Sequence, residues 1–173
     1  MMRRFHLLAL IVAVSMAPGA PMAQTDPAGD LSADELIEAL TPAPRPRTRG
    51  LSVQVHDEEM PRIDLAVEFE FASHRLTPQA RALLGNLAEA LQSPALAGHR
   101  FRLAGHTDGV GSHAVNDRLS LQRAEAVLDY LVAEHGLDPA RLEVEGHGKR
   151  RLLFADAPED ARNRRVEVSV LAE

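Results

Sequence analysis

The chain of 173 residues contains no cysteine and no tryptophan, and Tyr130 is its single tyrosine. Without cysteine it can form no disulfide bond and carry no lipid on a cysteine, so its stability must come from the core alone. Without tryptophan, and with one tyrosine, it offers no stacking platform for single-stranded nucleic acid. We therefore expect one domain, stabilised by apolar packing, that does not bind nucleic acid.

The charge balance also argues against binding to nucleic acid. Acidic residues number 25 against 19 lysines and arginines, which gives a net charge of −6. Without Arg3 and Arg4, 17 of those 19 basic residues would remain against the same 25 acids, a net charge of −8. Binding to phosphate backbones requires a basic surface, so the composition argues against a nucleic-acid partner.

Residues 1–23 have the pattern of a secretory signal peptide. Arg3 and Arg4 precede the apolar run 7–14, and small residues follow. The run is shorter than the roughly 20 residues that span a bilayer, which favours a cleaved signal over an uncleaved membrane anchor. We expect cleavage at the end of this segment or after Gly19, and no transmembrane segment after cleavage.

Residues 24–50 are interpreted as a short helix followed by a tether. Ser32 can cap a helix over residues 31–40, and Glu35 completes a capping box. Residues 41–50 then alternate three prolines with three arginines, which predicts an extended tether or, alternatively, a peptide that docks on a partner. We expect this region to lie outside the core, so that its deletion would leave cooperative unfolding unchanged. The apolar stripe of the short helix consists of Leu36, Ile37 and Leu40.

Residues 51–173 carry the pattern of one α/β domain. Alternating apolar residues over 63–71 predict a strand, and the weaker alternation of Leu51, Val53 and Val55 predicts a short leading strand. Thr77 and Pro78 begin a helix that continues to Leu91. The remaining predicted elements are a strand at 101–103, a helix over 113–134 ended by Gly136, a strand at 142–144 and a strand at 166–170.

This order predicts a two-layer α/β sandwich, with a four-stranded mixed sheet and two long helices on one face. In the second helix we expect Leu121, Ala124, Leu128 and Leu131 to point inward. The opposite sheet face is expected to be largely exposed to water, because charged residues occupy the alternate strand positions. These are Asp64, Glu68, Glu70, Arg102, Glu143, Glu145 and Glu167.

A carboxylate and a guanidinium stand out between residues 105 and 123. Asp108 lies on a glycine-rich loop between the second strand and the second helix, where a rigid sheet can position a ligand site. Asn116, Ser120 and Arg123 recur at i, i+4 and i+7, so they share one helix face, predicted to point away from the core. Asp108 and Arg123 suit a ligand that carries an ammonium and a carboxylate on one carbon. The alternative is an ordinary surface salt bridge between them.

Several short motifs occur in a characteristic order. They are Phe69-Glu70-Phe71, Leu76-Thr77, Gly105-His106-Thr107-Asp108, Asn116, Leu119-Ser120, Arg123-Ala124 and Asn163-Arg164-Arg165-Val166. With them the chain resembles the OmpA-like peptidoglycan-binding domain over roughly residues 62–171. The resemblance departs at 149–162, which lacks an expected early proline, and at Ser73 and His74. These departures affect secondary contacts rather than the Asp108 and Arg123 pair.

The resemblance implies that Asp108 and Arg123 hold the two charges of meso-diaminopimelate in the peptidoglycan stem peptide. Asn116 assists, together with an arginine of the last motif, Arg164 or alternatively Arg165. Thr107 and Ser120 complete the implied ligand-binding set.

The resemblance also implies a periplasmic, wall-associated or outer-membrane-associated protein that is not an enzyme and needs no cofactor. The alternative function is an envelope scaffold that contacts another protein through residues 24–50. A metal hydrolase is disfavoured, because His106, Asp108, His113 and His147 match no common zinc spacing. A wall-processing hydrolase is a third alternative, and it would have to turn over muropeptides. A phosphate-binding loop is disfavoured because residues 105–112 lack its lysine.

Overall fold

The computed structural model describes residues 27–43, 60–70 and 73–172. The predicted signal peptide, most of the tether, the leading strand at 51–55 and Phe71 lie outside the described residues. Within the described ranges, no helix is both long enough and apolar enough to cross a bilayer.

Helices and strands follow one another in the predicted order. Two short 3-10 turns, Pro139–Arg141 and Ala161–Asn163, precede the last two strands. In the described residues the elements are α1 (Ala33–Leu40), β1 (Arg62–Leu65), α2 (Pro78–Gln92), β2 (Phe101–His106), α3 (His113–His135), β3 (Leu142–Gly148) and β4 (Val166–Val170).

The sheet is mixed, with strand order β1-β4-β2-β3. Strand β2 runs parallel to β3, and β4 runs antiparallel to both β1 and β2. The register places Phe101 opposite Leu142 and Val170, so apolar side chains of neighbouring strands share one face. Helices α2 and α3 bury their apolar residues in the same core cluster. The predicted two-layer α/β fold is confirmed.

Most of the predicted charged residues lie on the opposite sheet face but are half-buried rather than fully exposed, namely Asp64, Arg102, Glu143, Glu145 and Glu167. Glu68 and Glu70 lie beyond the end of β1 and are exposed. Arg102 lies opposite Glu143, and its Nε is 3.2 Å from Glu145 Oε1. His147 Nε2 lies 3.3 Å from another oxygen of Glu145. These charges shield one another from water because cross-strand neighbours alternate in sign.

The predicted start of α2 and the predicted end of α3 are confirmed. The Thr77 hydroxyl accepts a hydrogen bond from the backbone N–H of Ala80 at 3.1 Å, and Pro78 takes the first helical position of α2. Gly136 ends α3 with φ of 67°, in the left-handed region that glycine adopts without strain. The caps of both helices are therefore encoded locally.

The first predicted strand is too long. Strand β1 ends at Leu65, opposite Val166, the first residue of β4. Beyond Leu65, no strand among the described residues continues the pairing with β4. Phe69 instead forms an isolated bridge with Leu76, ahead of α2. The alternation through Phe69 thus reflects a second short ribbon rather than one continuous strand.

The expectation that the N-terminal helix lies outside the core is wrong. Leu36 and Leu40 are completely buried in the main cluster, against α2. Asn86 of α2 donates a hydrogen bond to the carbonyl of Leu31 at 2.8 Å, and Ala28 pairs with Leu65 at the edge of β1. An eight-residue helix is marginal alone and gains its stability from such docking. The predicted Ser32 and Glu35 capping box is confirmed.

The inward face of α3 also differs from the prediction. Leu121 is 37% exposed, whereas the first half of the helix turns its polar residues toward the sheet. The cause is close packing at two glycines. A Cβ on Gly105 would lie 2.0 Å from the carbonyl oxygen of Ser120, and one on Gly146 would lie 2.7 Å from the Leu121 nitrogen. The buried residues of α3 are Asn116, Ser120, Arg123, Ala124, Val127 and Leu131.

Candidate functional site

The loop that carries Asp108 is held at several points. Thr107 is buried, and its N–H donates to the carbonyl of Gly148 at 2.9 Å. The Asp108 carboxylate accepts from the N–H of Val110 at 3.2 Å. Lys149 Nζ donates to the carbonyls of Gly109, at 3.2 Å, and Gly111, at 2.6 Å. The loop therefore presents Asp108 from a fixed backbone.

Asn116 and Ser120 of α3 serve this loop and the sheet. Asn116, 4% exposed, donates from Nδ2 to the carbonyl of Val110 at 2.8 Å. Ser120 is completely buried and accepts from the N–H of Gly148 at 2.9 Å. The prediction that Asn116, Ser120 and Arg123 point away from the core is wrong for Ser120, which is completely buried against β3. Asn116 and Arg123 are also buried rather than free on the surface, but both line the cleft beside the loop.

Arg123 is a nearly buried cation. It is 9% exposed, donates from Nε to the carbonyl of Ser73 at 3.3 Å, and places its guanidinium carbon 4.8 Å from the Phe69 ring centroid. Burial lowers the pKa of Arg123, as does the nearby charge of Arg164, and Asp108 offsets part of this effect. Among the described residues it has no carboxylate partner within salt-bridge distance. A cation in this position is poorly solvated, and among the described residues Asp108 supports its charge without forming a salt bridge with it.

Asp108 pairs with Arg164 rather than with Arg123. Arg164 Nη1 lies 2.9 Å from Asp108 Oδ2, and both side chains keep some exposure. The alternative interpretation, an ordinary surface salt bridge between Asp108 and Arg123, is therefore wrong. Arg164, a residue of the last sequence motif, forms the salt bridge with Asp108 instead, because the fold brings this motif beside the loop.

The last motif contributes its two arginines to different places. Arg164 lines the cleft beside Asp108. Arg165 is buried, with Nε 2.6 Å from Asp64 Oδ1 and Nη1 3.3 Å from the carbonyl of Arg151. Arg164 thus lines the cleft, whereas Arg165 joins β1 to β4 through Asp64.

These side chains surround an open cleft of about 530 Å³. Five of the six predicted site residues line it, namely Thr107, Asp108, Asn116, Arg123 and Arg164, whereas Ser120 does not. A second cavity of about 390 Å³ continues past Phe69, Arg123 and Arg164. The remaining lining residues of the first cleft are Phe69, Glu70, Val110, Val115 and Leu119.

The alternative metal cluster is divided among separate environments. His106 is buried with its ring centroid 5.1 Å from that of His147, and burial, reinforced by the Arg165 charge, lowers its pKa to about 3. Asp108 is paired with Arg164, and His113 is exposed in the first turn of α3. No three histidine or carboxylate side chains among the described residues approach closely enough to hold a metal ion.

Several residues of this site were not found from the sequence. Lys149 lies 40 residues from the glycine that it contacts, so no local pattern links them. Val110 and Val115 form part of the cleft wall although both are exposed. The sequence did contain an indication of these two residues, because two valines in an otherwise polar stretch fit none of the predicted apolar stripes.

Comparison with known proteins identifies the family of this chain. Residues 68–165 match the OmpA family, so the chain belongs to that family of envelope-protein domains. It is 38% identical over 118 residues to outer membrane porin F of Pseudomonas aeruginosa, a match that covers 66% of this chain and 33% of the porin. It is 39% identical over 114 residues to the peptidoglycan-associated lipoprotein of the same organism, covering 65% of this chain and 66% of the lipoprotein.

Solved structures show the same fold. A putative MotB-like protein from Desulfovibrio vulgaris superposes with a TM-score of 0.56 at 29% identity, covering 65% of this chain and 73% of that one. The OmpA-like domain of FopA1 from Francisella tularensis gives a TM-score of 0.54 at 24% identity, covering 63% and 70%. The chain spans about a third of the porin relatives, so the similarity concerns one domain of those proteins.

Proposed function

We propose that this domain binds peptidoglycan non-covalently, through the free end of meso-diaminopimelate, and anchors an exported protein to the cell wall. The observation that carries the proposal is Arg123, a nearly buried cation with no carboxylate partner among the described residues, facing a cleft beside Asp108. A ligand carboxylate would supply the missing counter-ion. The ligand ammonium would lie against Asp108.

The geometry of arginine strengthens this assignment. A guanidinium offers parallel N–H donors that match the two oxygens of a carboxylate. Nε of Arg123 is engaged by Ser73, which fixes the plane of the group and leaves its terminal nitrogens for the ligand. The Phe69 ring supports one face of the same group.

Asp108 retains capacity for an ammonium despite its pairing with Arg164. A carboxylate accepts about four hydrogen bonds, and Asp108 uses two in the described contacts. Arg164, half exposed, can also approach the ligand carboxylate. Thr107 and Asn116 position the loop, and Ser120 secures α3 to β3 beneath it. This role requires no catalytic group and no cofactor.

The relatives support the anchoring role and its location. One is named for its association with peptidoglycan, and others are outer-membrane proteins. Together with the signal-like residues 1–23, this favours the periplasm, at the wall or the outer membrane, as the place of action. Peptidoglycan of the diaminopimelate type is the proposed partner.

The alternative scaffold function loses the surface first assigned to it. Leu36 and Leu40 are completely buried against the domain and are not available to a second protein. A partner contact through residues 24–50 would have to use the exposed side of α1 or the segment after it. No observation favours that contact over the wall.

Binding of a synthetic tripeptide that ends in diaminopimelate should be measured by calorimetry for wild type, Arg123→Lys and Asp108→Asn. A hydrogen bond to a charged group contributes about 1.5–3 kcal/mol, so each variant should lose roughly ten- to a hundredfold in affinity. Arg81→Lys, an exposed change on α2, is the matched control and should bind as wild type does. Equal affinity of wild type and Arg123→Lys would contradict the proposed site.

Ligand specificity provides a second test of the proposed function. A lysine-type wall peptide lacks the distal carboxylate, so Arg123 would be buried beneath it unpaired, at a penalty of about 2–5 kcal/mol. Purified diaminopimelate-type sacculi should retain the protein, and lysine-type walls should not. Comparable retention on both would show that the charged end of diaminopimelate is not what the domain recognises.

A further inference from the structure

The loop that carries Asp108 joins β2 to α3 over residues 107–112. It contains two glycines, Gly109 and Gly111, and glycine loses more conformational freedom on ordering than any other residue. A loop of this composition keeps one conformation only if contacts from outside the loop offset that loss. The contacts made to its backbone therefore decide how well Asp108 is positioned.

The carbonyls of three consecutive loop residues accept hydrogen bonds from two side chains. Asn116 Nδ2 donates to the carbonyl of Val110 at 2.8 Å. Lys149 Nζ donates to the carbonyls on either side of it, at 3.2 Å to Gly109 and at 2.6 Å to Gly111. A lysine ammonium has three N–H donors, so one group can hold both carbonyls at once.

The backbone beside Lys149 is itself fixed. Lys149 follows Gly148, the last residue of β3. The N–H of Gly148 donates to Ser120 Oγ at 2.9 Å, and its carbonyl accepts from the N–H of Thr107 at 2.9 Å. The start of the lysine side chain is thus attached both to α3 and to the beginning of the loop, so its ammonium restrains the loop from a rigid base.

A second support of the loop comes from the same segment, 149–162, in which the chain departs from the family pattern. The N–H of Gly109 donates to the carbonyl of Pro158 at 2.6 Å. Asn163, which is completely buried, donates to the same carbonyl at 3.1 Å. This support is neutral and holds one loop residue, whereas the ammonium of Lys149 holds two.

Lys149 is not among the residues that line the cleft or the cavity beside it. It is also the only lysine of the chain, since the other 18 of the 19 basic residues are arginines. Its side chain is half-buried, and its ammonium is directed at backbone carbonyls of the loop. Any effect of Lys149 on a ligand therefore passes through the loop.

We propose that Lys149 is a positioning residue of the ligand site, whose ammonium keeps the loop closed around Asp108 before the ligand arrives. The two hydrogen bonds from this ammonium to the loop are called the Lys149 clamp. The inference rests on the proposed function, because it concerns affinity for the same ligand. Apparent affinity falls with the fraction of the protein that is in the binding-competent conformation, and without the clamp part of the protein has an open loop.

Lys149→Met tests the clamp, because it keeps an unbranched apolar side chain but removes the three donors. Affinity of the full-length chain for the tripeptide that ends in diaminopimelate, measured by calorimetry, should fall about three- to tenfold. Arg81→Met, which removes an exposed positive charge from α2, is the matched control and should bind as wild type does. Binding of Lys149→Met within about twofold of wild type would overturn the proposal.

Amide hydrogen exchange of the ligand-free protein separates positioning from direct contact with the ligand. In Lys149→Met the amides of Gly109 and Val110, both hydrogen-bonded in the closed loop, should exchange faster by at least the factor lost in affinity. The amide of Leu103, in the middle of β2, should keep its exchange rate because only the loop opens. A loss of affinity without faster exchange in the loop would contradict the clamp.

Lys149→Arg provides a rescue. A guanidinium keeps the positive charge and also donates several N–H groups to carbonyl oxygens, so this variant should recover most of the affinity and of the loop protection. If Lys149→Arg were as weak as Lys149→Met, the hydrogen bonds of the ammonium would not be the cause of the loss.

The two proposals fail in different ways. If the wild type does not bind the tripeptide, the proposed function is wrong, and the exchange comparison, which needs no ligand, still tests the clamp. If the wild type binds with the expected sensitivity to Arg123→Lys but Lys149→Met binds equally well, only the role of Lys149 is wrong.

Discussion

The N-terminal helix should be required for the stability of the domain, and Leu36→Ala tests this directly. The Leu36 side chain is completely buried, as is that of Leu40 one turn later. Helix α1 packs on α2, and the carbonyl of Leu31 accepts a hydrogen bond from Asn86. A helix of eight residues has little stability without these contacts.

The magnitude follows from the burial. Truncating a fully buried leucine to alanine removes its transfer free energy and leaves a cavity, at a cost of about 2–5 kcal/mol. Because α1 lies at the periphery and can move to reduce the cavity, we expect the lower part of that range, about 2–3 kcal/mol. This is a large fraction of the roughly 5–15 kcal/mol by which a domain is stable.

Urea unfolding of the full-length chain, followed by circular dichroism, measures the effect. The midpoint for Leu36→Ala should fall while the transition stays cooperative and its slope is unchanged. Glu38→Ala, an exposed change on the same helix, is the control and should stay within about 0.5 kcal/mol of wild type. If Leu36→Ala also stayed within about 0.5 kcal/mol of wild type, α1 would not be part of the core.

Two further predictions concern positions beneath the site. Gly105→Ala should destabilise the domain by several kcal/mol in urea unfolding, because the added Cβ would lie 2.0 Å from the Ser120 carbonyl oxygen. Gly98→Ala is the control and should be nearly neutral, because a Cβ there would have no atom within 4 Å. Burial lowers the pKa of His106 from 6.5 to about 3 in the folded chain. Between these two pH values the unfolded state binds a proton that the folded state does not, so the stability of the domain should fall as pH drops from 6.5 to 3. The total loss should be on the order of 5 kcal/mol, and His106→Gln should flatten this pH dependence; an unchanged slope would contradict the burial argument.

Local signals in the sequence predicted most of the secondary structure. The caps at Ser32 and Thr77 and the glycine at 136 depend on residues within one turn, so they can be read without knowledge of the fold. The length of β1 could not be read in this way. It depends on where β4 begins, about 100 residues later in the chain.

The candidate site likewise combines features that the local sequence predicts with contacts between residues that are distant in the chain. Asp108, Asn116 and Arg123 were identified from their types and spacing, and all three line one cleft. Their pairing was not predictable, because the partner of Asp108 is Arg164, 56 residues away. Spacing along a helix defines which residues share a face, but it does not define which face meets the sheet.

The sequence by itself determined the order of elements, the α/β class and the residue types of the site, because caps and apolar periodicity act over a few residues. The tertiary structure decided that α1 belongs to the core, that α3 turns Asn116 and Ser120 inward, and that Arg123 lacks a carboxylate partner among the described residues. These outcomes arise from close packing. Gly105 and Gly146 allow α3 to approach the sheet so closely that small and polar side chains replace the expected leucine at the interface.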